Sequence, residues 1–532
     1  MNTEEIIFSK KIKTVFSISV FLFFSASLYI FSRFTVDDAF ITWRYGKNLI
    51  DFGVWNYNPS SIDMTQAYTN PIYAILSIIP NYFGWDVVFY FKIFSSILLI
   101  AFLIWGFKKF RCSWSMAVIF LALPATIVHA YSGLETFLFV YLMAVFMVAL
   151  YEEKKWLAIA STLFLFITRP ETWLLSILLP FYYLIDEPKA SSDTPLIMPF
   201  TDFSKVHIRV VQAIYVTLCL AMPLSIYFIY HKLHFGSALP NTFYVKSGSS
   251  FHLFAFIQYL FFMLPLFFLL YFKKNKLLLL LVAMFGSMAV SYSTSSLMMN
   301  YSNRFAFHIF APVFIFIVYL STKIEGCFYI STKNDFSEVN LIPRRLAFNG
   351  LVFGFLLAFA IVSQLSSSAH MATYYPRALS SHAALGKLLN DVSTKYKINA
   401  FSCGDAGMIA YHSKINALDN IGLGSSSIAK GGVTNELLDN YGIDLVIFHS
   451  RPGSIRLADY YQQEIFDWAT KNGFNELCDV YWQKDYTMRI YSKTQIEEII
   501  DLCNKSKVAN NRTNREMFEE SIISPPRRFW HE

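Results

Sequence analysis

Two adjacent acidic residues, Asp37 and Asp38, follow the first long apolar run of the chain, in the segment FTVDDAFITWRY at 34–45. A carboxylate pair at a lipid boundary is costly to hold, so its presence requires a chemical reason. A helix N-terminus favours negative charge, but one acid is enough to cap a helix. Arg44 and Tyr45 follow about two helical turns later, where they would present further polar groups to the same cavity.

A second group of charged residues is cationic. Arg169, Lys246 and Arg304 lie at the ends of apolar runs or in the loops between them. A single arginine in such a place is usually an interfacial anchor, but the three together favour a phosphate-binding cluster. Glu135 and Glu171 begin apolar runs, where they either complement a helix dipole or orient Arg169 or a sugar hydroxyl. Acids and cations beside lipid indicate a lipid-phosphate substrate.

The elements that must position these residues are membrane helices. The chain has 532 residues, of which 55% are hydrophobic and 18% aromatic, and this composition indicates an integral membrane protein. Its formal net charge is +7, but the lysines and arginines lie between apolar runs, where they orient spans. Nucleic acid is therefore not an expected partner.

The apolar runs predict about eleven spans, since a span needs about 20 apolar residues and packed bundles allow shorter ones. They lie near 14–33, 87–107, 114–130, 134–151, 156–168, 172–186, 210–231, 253–272, 277–297, 305–320 and 347–366. The run 72–80 is interpreted as an interfacial helix. With a cytoplasmic N-terminus, 18 lysines and arginines fall in inner segments and 7 in outer ones, as the positive-inside rule expects. All the unusual polar loops then face the outer side.

The predicted fold is a polytopic α-helical membrane protein with a C-terminal soluble α/β domain. Residues 1–366 form the transmembrane part, with a large first outer loop at 34–86, and 367–494 form an outer domain in which apolar strand-like runs alternate with helical patterns. Residues 495–532 are a polar tail that we expect to fray. One disulfide among Cys403, Cys478 and Cys503 is compatible with an outer location, without a preferred pair.

Several weaker patterns leave alternatives open. His129 and His308 lack the spacing of a metal motif, so no metal is assigned, although a divalent cation is compatible with the site. The segment at 422–424 is predicted to be a turn. The segment CGDAG at 403–407 and Asp419 follow strand-like runs, where acids and glycines either shape a ligand site or make ordinary turns.

In their order along the chain, these segments resemble bacterial GT-C glycosyltransferases, and in particular the group of the mycobacterial terminal β-(1→2)-arabinofuranosyltransferase. The resemblance extends from about residue 34 to about residue 425 and rests on DDAFITWRY at 37–45, WNYNP at 55–59, YTNP at 68–71, GLE at 133–135, TRPE at 168–171, LPNTFYVK at 239–246, NR at 303–304 and GDAG at 404–407. The chain departs from the family at 66–68, where relatives commonly carry an acid and a glycine before the tyrosine.

The resemblance implies a polyprenyl-phosphate sugar as donor, an envelope glycan or lipid as acceptor, a periplasmic active site in a bacterial inner membrane, and inversion at the anomeric carbon. Asp37 would be the base that deprotonates the acceptor, and Asp38 would position a substrate. Arg169, Lys246 and Arg304 would neutralise the leaving phosphate. The other substrate-binding residues that it implies are Arg44, Tyr68, Asn70, Glu135, Glu171, Asn241 and Tyr244. A lipid-linked sugar flippase and a non-catalytic envelope assembly factor are the alternatives.

Overall fold

The structure is a computed structural model of the full chain. It describes residues 21–110, 114–185, 203–246, 250–273, 275–297, 299–323, 327–331, 339–363, 365–455 and 461–511, together with 15, 18, 19, 457, 459 and 516.

Helices make up the part of the chain before residue 363. They are α1 Phe21–Phe31, α2 Asp37–Phe52, α3 Pro71–Leu76, α4 Ile78–Phe83, α5 Val87–Phe110, α6 Trp114–Ala122, α7 Pro124–Tyr131, α8 Thr136–Tyr151, α9 Lys155–Thr168, α10 Leu175–Leu184, α11 Phe203–Phe235, α12 Asn241–Lys246, α13 Leu253–Lys273, α14 Lys276–Ser293, α15 Arg304–Ser321 and α16 Arg344–Val362. A short antiparallel hairpin, β1 Cys327–Ser331 and β2 Val339–Pro343, precedes α16. The sequence analysis did not predict this hairpin.

Apolar helices occupy every segment that was predicted as a span, but the number of spans is not confirmed. Among the described residues, five helices are long and apolar enough to cross a membrane, namely α5, α11, α13, α14 and α15. A sixth is possible by length if α7 and α8, which are bent by 107°, form one broken span. Helices α6, α9 and α10 have 9, 14 and 10 residues, fewer than a full crossing requires.

Helix α15 is the centre of the bundle. Almost all of its residues are buried, and it packs against α8 and α13. A helix that is apolar on every side is stable only when neighbouring helices surround it. The first residue of α15, Arg304, is therefore fixed at one end of a closely packed helix.

The run 72–80, interpreted as an interfacial helix, forms the two short helices α3 and α4 of six residues each. Neither is long enough to cross a bilayer. Ile75, Ile79, Tyr82 and Phe83 are exposed on them. Exposed aromatic and branched side chains of this kind suit a position at a membrane interface, as the sequence analysis predicts.

The C-terminal part combines a sheet with helices, as predicted. Its strands are β3 Ala400–Cys403, β4 Asn416–Asp419, β5 Leu445–Arg451, β6 Ser454–Ile455, β7 Asn475–Gln483 and β8 Tyr486–Ser492, and its helices are α17 Leu365–Tyr396, α18 Met408–Ser413, α19 Ser426–Gly431, α20 Asn435–Tyr441, α21 Gln462–Lys471 and α22 Glu497–Ala509. The main strand order is β4-β3-β5-β8-β7. Strand β3 is parallel to both β4 and β5, whereas β8 is antiparallel to its neighbours.

The polar tail requires a correction. Residues 497–509 form α22 instead of fraying, because Ile499 and Cys503 are buried and α22 packs on β7. A disulfide joins Cys503 of this helix to Cys478 of β7. Residues 517–532 of the predicted tail lie outside the described residues.

Candidate functional site

Charged residues gather where three helices of the bundle end on one side. Glu135 immediately precedes α8, Arg169 follows α9, and Arg304 begins α15. Glu135 has 1% of its side-chain surface exposed, Arg169 6% and Arg304 7%. Charges buried this deeply are tolerated when they are paired and hydrogen-bonded.

Glu135 joins the two arginines. Its Oε1 accepts hydrogen bonds from Arg169 Nη1 at 2.7 Å and from Arg304 Nη2 at 3.0 Å, and its Oε2 accepts from the side chain of Asn70. Glu171 pairs with the remaining side of Arg169 through N···O distances of 2.5 and 3.2 Å. We call these five residues the Glu135 cluster. Its two glutamates offset its two arginines.

A cavity of about 420 Å³ lies beside the Glu135 cluster. Eight of the residues predicted from the sequence line it, and these are Asp38, Tyr68, Asn70, Glu135, Arg169, Glu171, Lys246 and Arg304. They come from distant parts of the chain and from several different helices and loops. The sequence analysis therefore predicted the residue types that meet at this site, although it could not give their separations.

Asp38 and Lys246 are the charged groups of the cavity that lack a direct partner. Within the described part of the chain, the structure gives neither the Asp38 carboxylate nor the Lys246 ammonium a hydrogen bond or ion pair. Burial raises the pKa of Asp38, and Lys246 and Arg304 oppose that rise. Burial lowers the pKa of Lys246, and Asp38 opposes that fall. The two groups thus act on each other across space that a ligand can occupy.

Asp37 lies on another face of α2, because successive residues of a helix are about 100° apart. Its carboxylate accepts hydrogen bonds from the backbone N–H groups of Gly407 at 2.9 Å and Met408 at 2.8 Å, at the start of α18. A Cβ atom at residue 407 would collide with the backbone and carboxylate oxygens of Asp37, so this approach requires glycine. Each oxygen of Asp37 thus accepts one backbone hydrogen bond, and Asp37 does not line the cavity.

Three other predicted substrate-binding residues do not line the cavity and contact the C-terminal part or a neighbouring loop. Arg44 Nη2 donates to the carbonyl of Ile415 at 2.7 Å, because Arg44 is two turns after Asp37 on the same face of α2. The side-chain amide of Asn241 donates to carbonyls of the 422–425 turn. Tyr244 Oη lies 3.0 Å from Ser237 Oγ. The expected polar face of α2 is therefore an interface between the two parts of the chain.

The sequence analysis missed some of the cavity's residues. Thr42, Trp173, Phe243 and Tyr292 line the cavity, and Tyr292 lies with its ring centroid 5.9 Å from the Arg169 guanidinium carbon. Trp173, Phe243 and Tyr292 are apolar or aromatic residues in apolar segments, where composition gives no sign of a site. Thr42 has a usable signal, since it follows Asp38 by one helical turn and must share its face.

Comparisons with known proteins find a distant likeness. No family model matches the chain, and no curated protein matches its sequence. Among solved structures, the chain is similar to the archaeal oligosaccharyltransferase AglB from Archaeoglobus fulgidus, in complex with an inhibitory peptide and a dolichol-phosphate. The sequences are 10% identical, the TM-score is 0.45, and the match covers 91% of this chain and 75% of that chain. Membership of the arabinofuranosyltransferase group stays a prediction.

Proposed function

We propose that this chain is a membrane glycosyltransferase that moves a sugar from a polyprenyl-phosphate donor to an envelope glycan or lipid acceptor, at the outer face of a bacterial inner membrane. One observation carries the proposal: a single cavity holds a carboxylate, Asp38, and a cation, Lys246, neither of which has a direct partner among the described residues. Sugar transfer from a phosphate to a hydroxyl needs a base for the acceptor and positive charge for the leaving group.

In the proposed reaction the acceptor hydroxyl gives its proton to Asp38 while its oxygen attacks the anomeric carbon opposite the phosphate. The bond from that carbon to the phosphate oxygen breaks, and its electron pair stays on the phosphate. Attack from the opposite side inverts the anomeric centre. Lys246 offsets the new negative charge, because a phosphate that leaves as an anion needs charge stabilisation more than it needs a proton.

This proposal moves the base from Asp37 to Asp38. A base must reach the proton that it removes, and Asp38 lines the cavity whereas both oxygens of Asp37 bind backbone N–H groups. Asp37 instead holds the segment that follows β3 against α2. Asp37 and Asp38 then have separate roles. This is possible because successive residues of one helix point to different faces.

The mouth of the cavity suits a prenyl chain. Leu239, Trp173 and Phe243 line the cavity and are also exposed on the surface. An exposed apolar rim beside buried charge is what a lipid with a phosphate head group requires, since the chain stays in an apolar environment while the phosphate enters the cavity.

Two further features support an outer location for this cavity. The C-terminal part carries the Cys478–Cys503 disulfide, and disulfides persist mainly in oxidising compartments outside the cytosol. The excess of lysine and arginine in the segments assigned to the inner side agrees with this orientation. A flippase would need polar groups along a path across the membrane, whereas the Glu135 cluster lies at the ends of its helices.

The test compares two neighbouring substitutions. The purified full-length chain is incubated with radiolabelled polyprenyl-phosphate sugars and envelope extract, as wild type, Asp38→Asn and Asp37→Asn. We expect Asp38→Asn to lower the transfer rate by about 10² to 10⁴-fold, since that is the typical contribution of a base. Asp37→Asn should keep the rate within about tenfold of wild type and lower the melting temperature, because it loses a buried hydrogen bond.

The opposite pattern, with transfer abolished in Asp37→Asn and retained in Asp38→Asn at unchanged melting temperatures, would return the base to Asp37. Absence of transfer by the wild type from every polyprenyl-phosphate sugar would contradict the proposal as a whole. Transport of the labelled lipid across vesicles in the same preparations would then identify a flippase.

A further inference from the structure

The strand order of the C-terminal sheet reverses at the carboxyl ends of two parallel strands, β3 and β5, and we call this edge of the sheet the crevice. Strand β3 lies between β4 and β5 and is parallel to both. The next strand along the chain, β4, therefore lies on one side of β3, and the following strand, β5, lies on the other side. In open α/β sheets, ligands bind at the carboxyl ends of strands where the order reverses in this way. Asp405 follows the end of β3, and His449 lies near the end of β5.

Two histidines converge on one carboxylate oxygen in this crevice. His382 Nε2 lies 3.0 Å and His449 Nε2 lies 2.9 Å from Oδ2 of Asp405. A Cβ atom on Gly404 would lie 3.1 Å from Cε1 of His449, so glycine makes room for the imidazole. The histidines therefore fix the orientation of the Asp405 carboxylate.

The other oxygen of that carboxylate is open. The side chain of Asp405 is 26% exposed, whereas His382 is 2% exposed, and Oδ1 accepts no hydrogen bond within the described residues. Trp482 forms an aromatic wall beside it, with its ring stacked on His449 at 5.8 Å and tilted against His382 at 5.0 Å. A fixed, accessible acceptor atom next to an aromatic ring is suited to a polar ligand with an apolar face.

The crevice is tied to the cavity of the transmembrane part. Asp405 is separated by one residue from Gly407, whose N–H binds Asp37, and Asp37 precedes Asp38 in α2. The charge of Asp405 is also close enough to raise the pKa of Asp38. A ligand that extends beyond a single sugar could therefore contact both places.

We infer that Asp405, His382, His449 and Trp482 form an acceptor subsite that binds the hydroxyl groups of a neutral glycan and so aligns its terminal sugar with Asp38. This inference rests on the proposed function. The Asp405 Oδ1 atom accepts hydroxyl protons, the histidines hold the carboxylate in place, and the Trp482 ring covers the apolar face of a sugar. The four residues bind and position the acceptor, while Asp38 acts on it.

The experiment uses the full-length chain and, as the acceptor probe, a neutral oligosaccharide fraction prepared from envelope extract. Acceptor is titrated at saturating donor, and donor at saturating acceptor, for wild type, Asp405→Asn and Trp482→Phe. We expect the half-saturating acceptor concentration to rise about 10- to 100-fold in Asp405→Asn, as loss of a hydrogen bond to a charged group predicts, and less in Trp482→Phe. The half-saturating donor concentration should not change.

Asp479→Asn is the matched control, since Asp479 is an aspartate of the same sheet that pairs with Arg489 at 2.8 Å, and the strand register places it on the opposite face from His449. Its titrations should match those of the wild type. A wild-type value for acceptor in both crevice variants, or an equal rise for donor and acceptor, would overturn the inference. If Asp405→Asn fails to fold, Trp482→Phe decides in the same way.

Calorimetric titration of the same oligosaccharide fraction separates this inference from the proposed function. One result would be that the wild type binds the oligosaccharide, that Asp405→Asn loses this binding, and that the wild type nevertheless transfers no sugar. That result would support the acceptor subsite and contradict the proposed glycosyltransferase activity. Sugar transfer with an unchanged acceptor requirement in both variants would keep the glycosyltransferase and refute the subsite.

Discussion

The two ends of the same helices carry ion clusters of different kinds. At one end, Glu135 is buried between Arg169 and Arg304. At the other end Glu152, which follows α8, pairs with Lys109 at 2.5 Å and with Lys154 at 2.7 Å. Glu152 has 21% of its side-chain surface exposed and Lys154 54%, against 1% for Glu135.

The two clusters differ in whether a cavity lies beside them. In the Glu152 cluster each charge meets an opposite charge near solvent, which is an ordinary way to anchor loops. Beside the Glu135 cluster lie a cavity and two charged groups, Asp38 and Lys246, that have no direct partner in the part of the chain that the structure describes. Buried charge that the protein leaves unpaired is expensive, so a ligand is the simplest reason to keep it.

The strongest way to test this contrast is to remove the central acid of each cluster. Glu135→Gln leaves two buried arginines short of a counter-charge, and we expect it to lower the free energy of unfolding by about 3–5 kcal/mol. Glu152→Gln should cost no more than about 1 kcal/mol, since its partners stay partly hydrated. Chemical unfolding in detergent micelles measures both, and equal losses would remove the distinction between the clusters.

A smaller effect is expected from the cations. Lys246→Ala should lower the transfer rate by about 10² to 10³-fold, the usual result of removing one group that stabilises developing charge. Lys154→Ala, at the opposite end, should leave the rate at the wild-type level. Steady-state rates with a labelled polyprenyl-phosphate sugar provide the measurement, and a rate for Lys246→Ala near that of Lys154→Ala would contradict the assignment of Lys246.

The smallest expected effect is a change in pH dependence. The transfer rate should fall on the acid side as Asp38 is protonated, at a pH above the ordinary aspartate pKa of about 3.9, because burial raises the pKa of Asp38. It should fall on the alkaline side as Lys246 loses its proton, below the ordinary lysine value of about 10.4, because burial lowers that pKa.

The Lys246→Arg variant distinguishes the acid side of the dependence of transfer rate on pH from the alkaline side. Arginine stays charged throughout, so the alkaline fall should move to higher pH while the acid fall remains. The rate at the plateau should stay within about tenfold of wild type. Rate profiles from pH 4 to pH 11 measure this, and an unchanged alkaline limb would mean that another group controls it.

Much of the candidate site could be predicted from the sequence, since charged residues at the ends of apolar runs are few, and six of them meet in one cavity, namely Asp38, Glu135, Arg169, Glu171, Lys246 and Arg304. The different roles that we propose for Asp37 and Asp38 could not be predicted from the sequence. It depends on which face of α2 meets the C-terminal part, and that is decided by Gly407 and Met408, about 370 residues away. The same interface between α2 and the C-terminal part explains why Arg44 contacts Ile415 instead of lining the cavity.

The fold was predictable where the sequence pattern is strong. Each apolar run became a helix, because apolar side chains and internally bonded backbone leave few alternatives in lipid. Strands β3 and β4 lie where strand-like runs were predicted before the segment at 403–407 and at Asp419. Strand β7 was missed because its residues are mostly polar or partly exposed at a sheet edge, and α22 was missed because Ile499 and Cys503 become buried only against β7.

The bond from Asp37 to the start of α18 has a consequence for engineering. The two parts of this chain are not exchangeable modules, because separating them would strip both hydrogen bonds from a buried carboxylate one residue before Asp38. A hybrid that joins this helical bundle to another C-terminal domain would have to keep residues 404–408 and a glycine at 407. Specificity for a new acceptor would be easier to change by substitutions outside this segment than by replacing the segment itself.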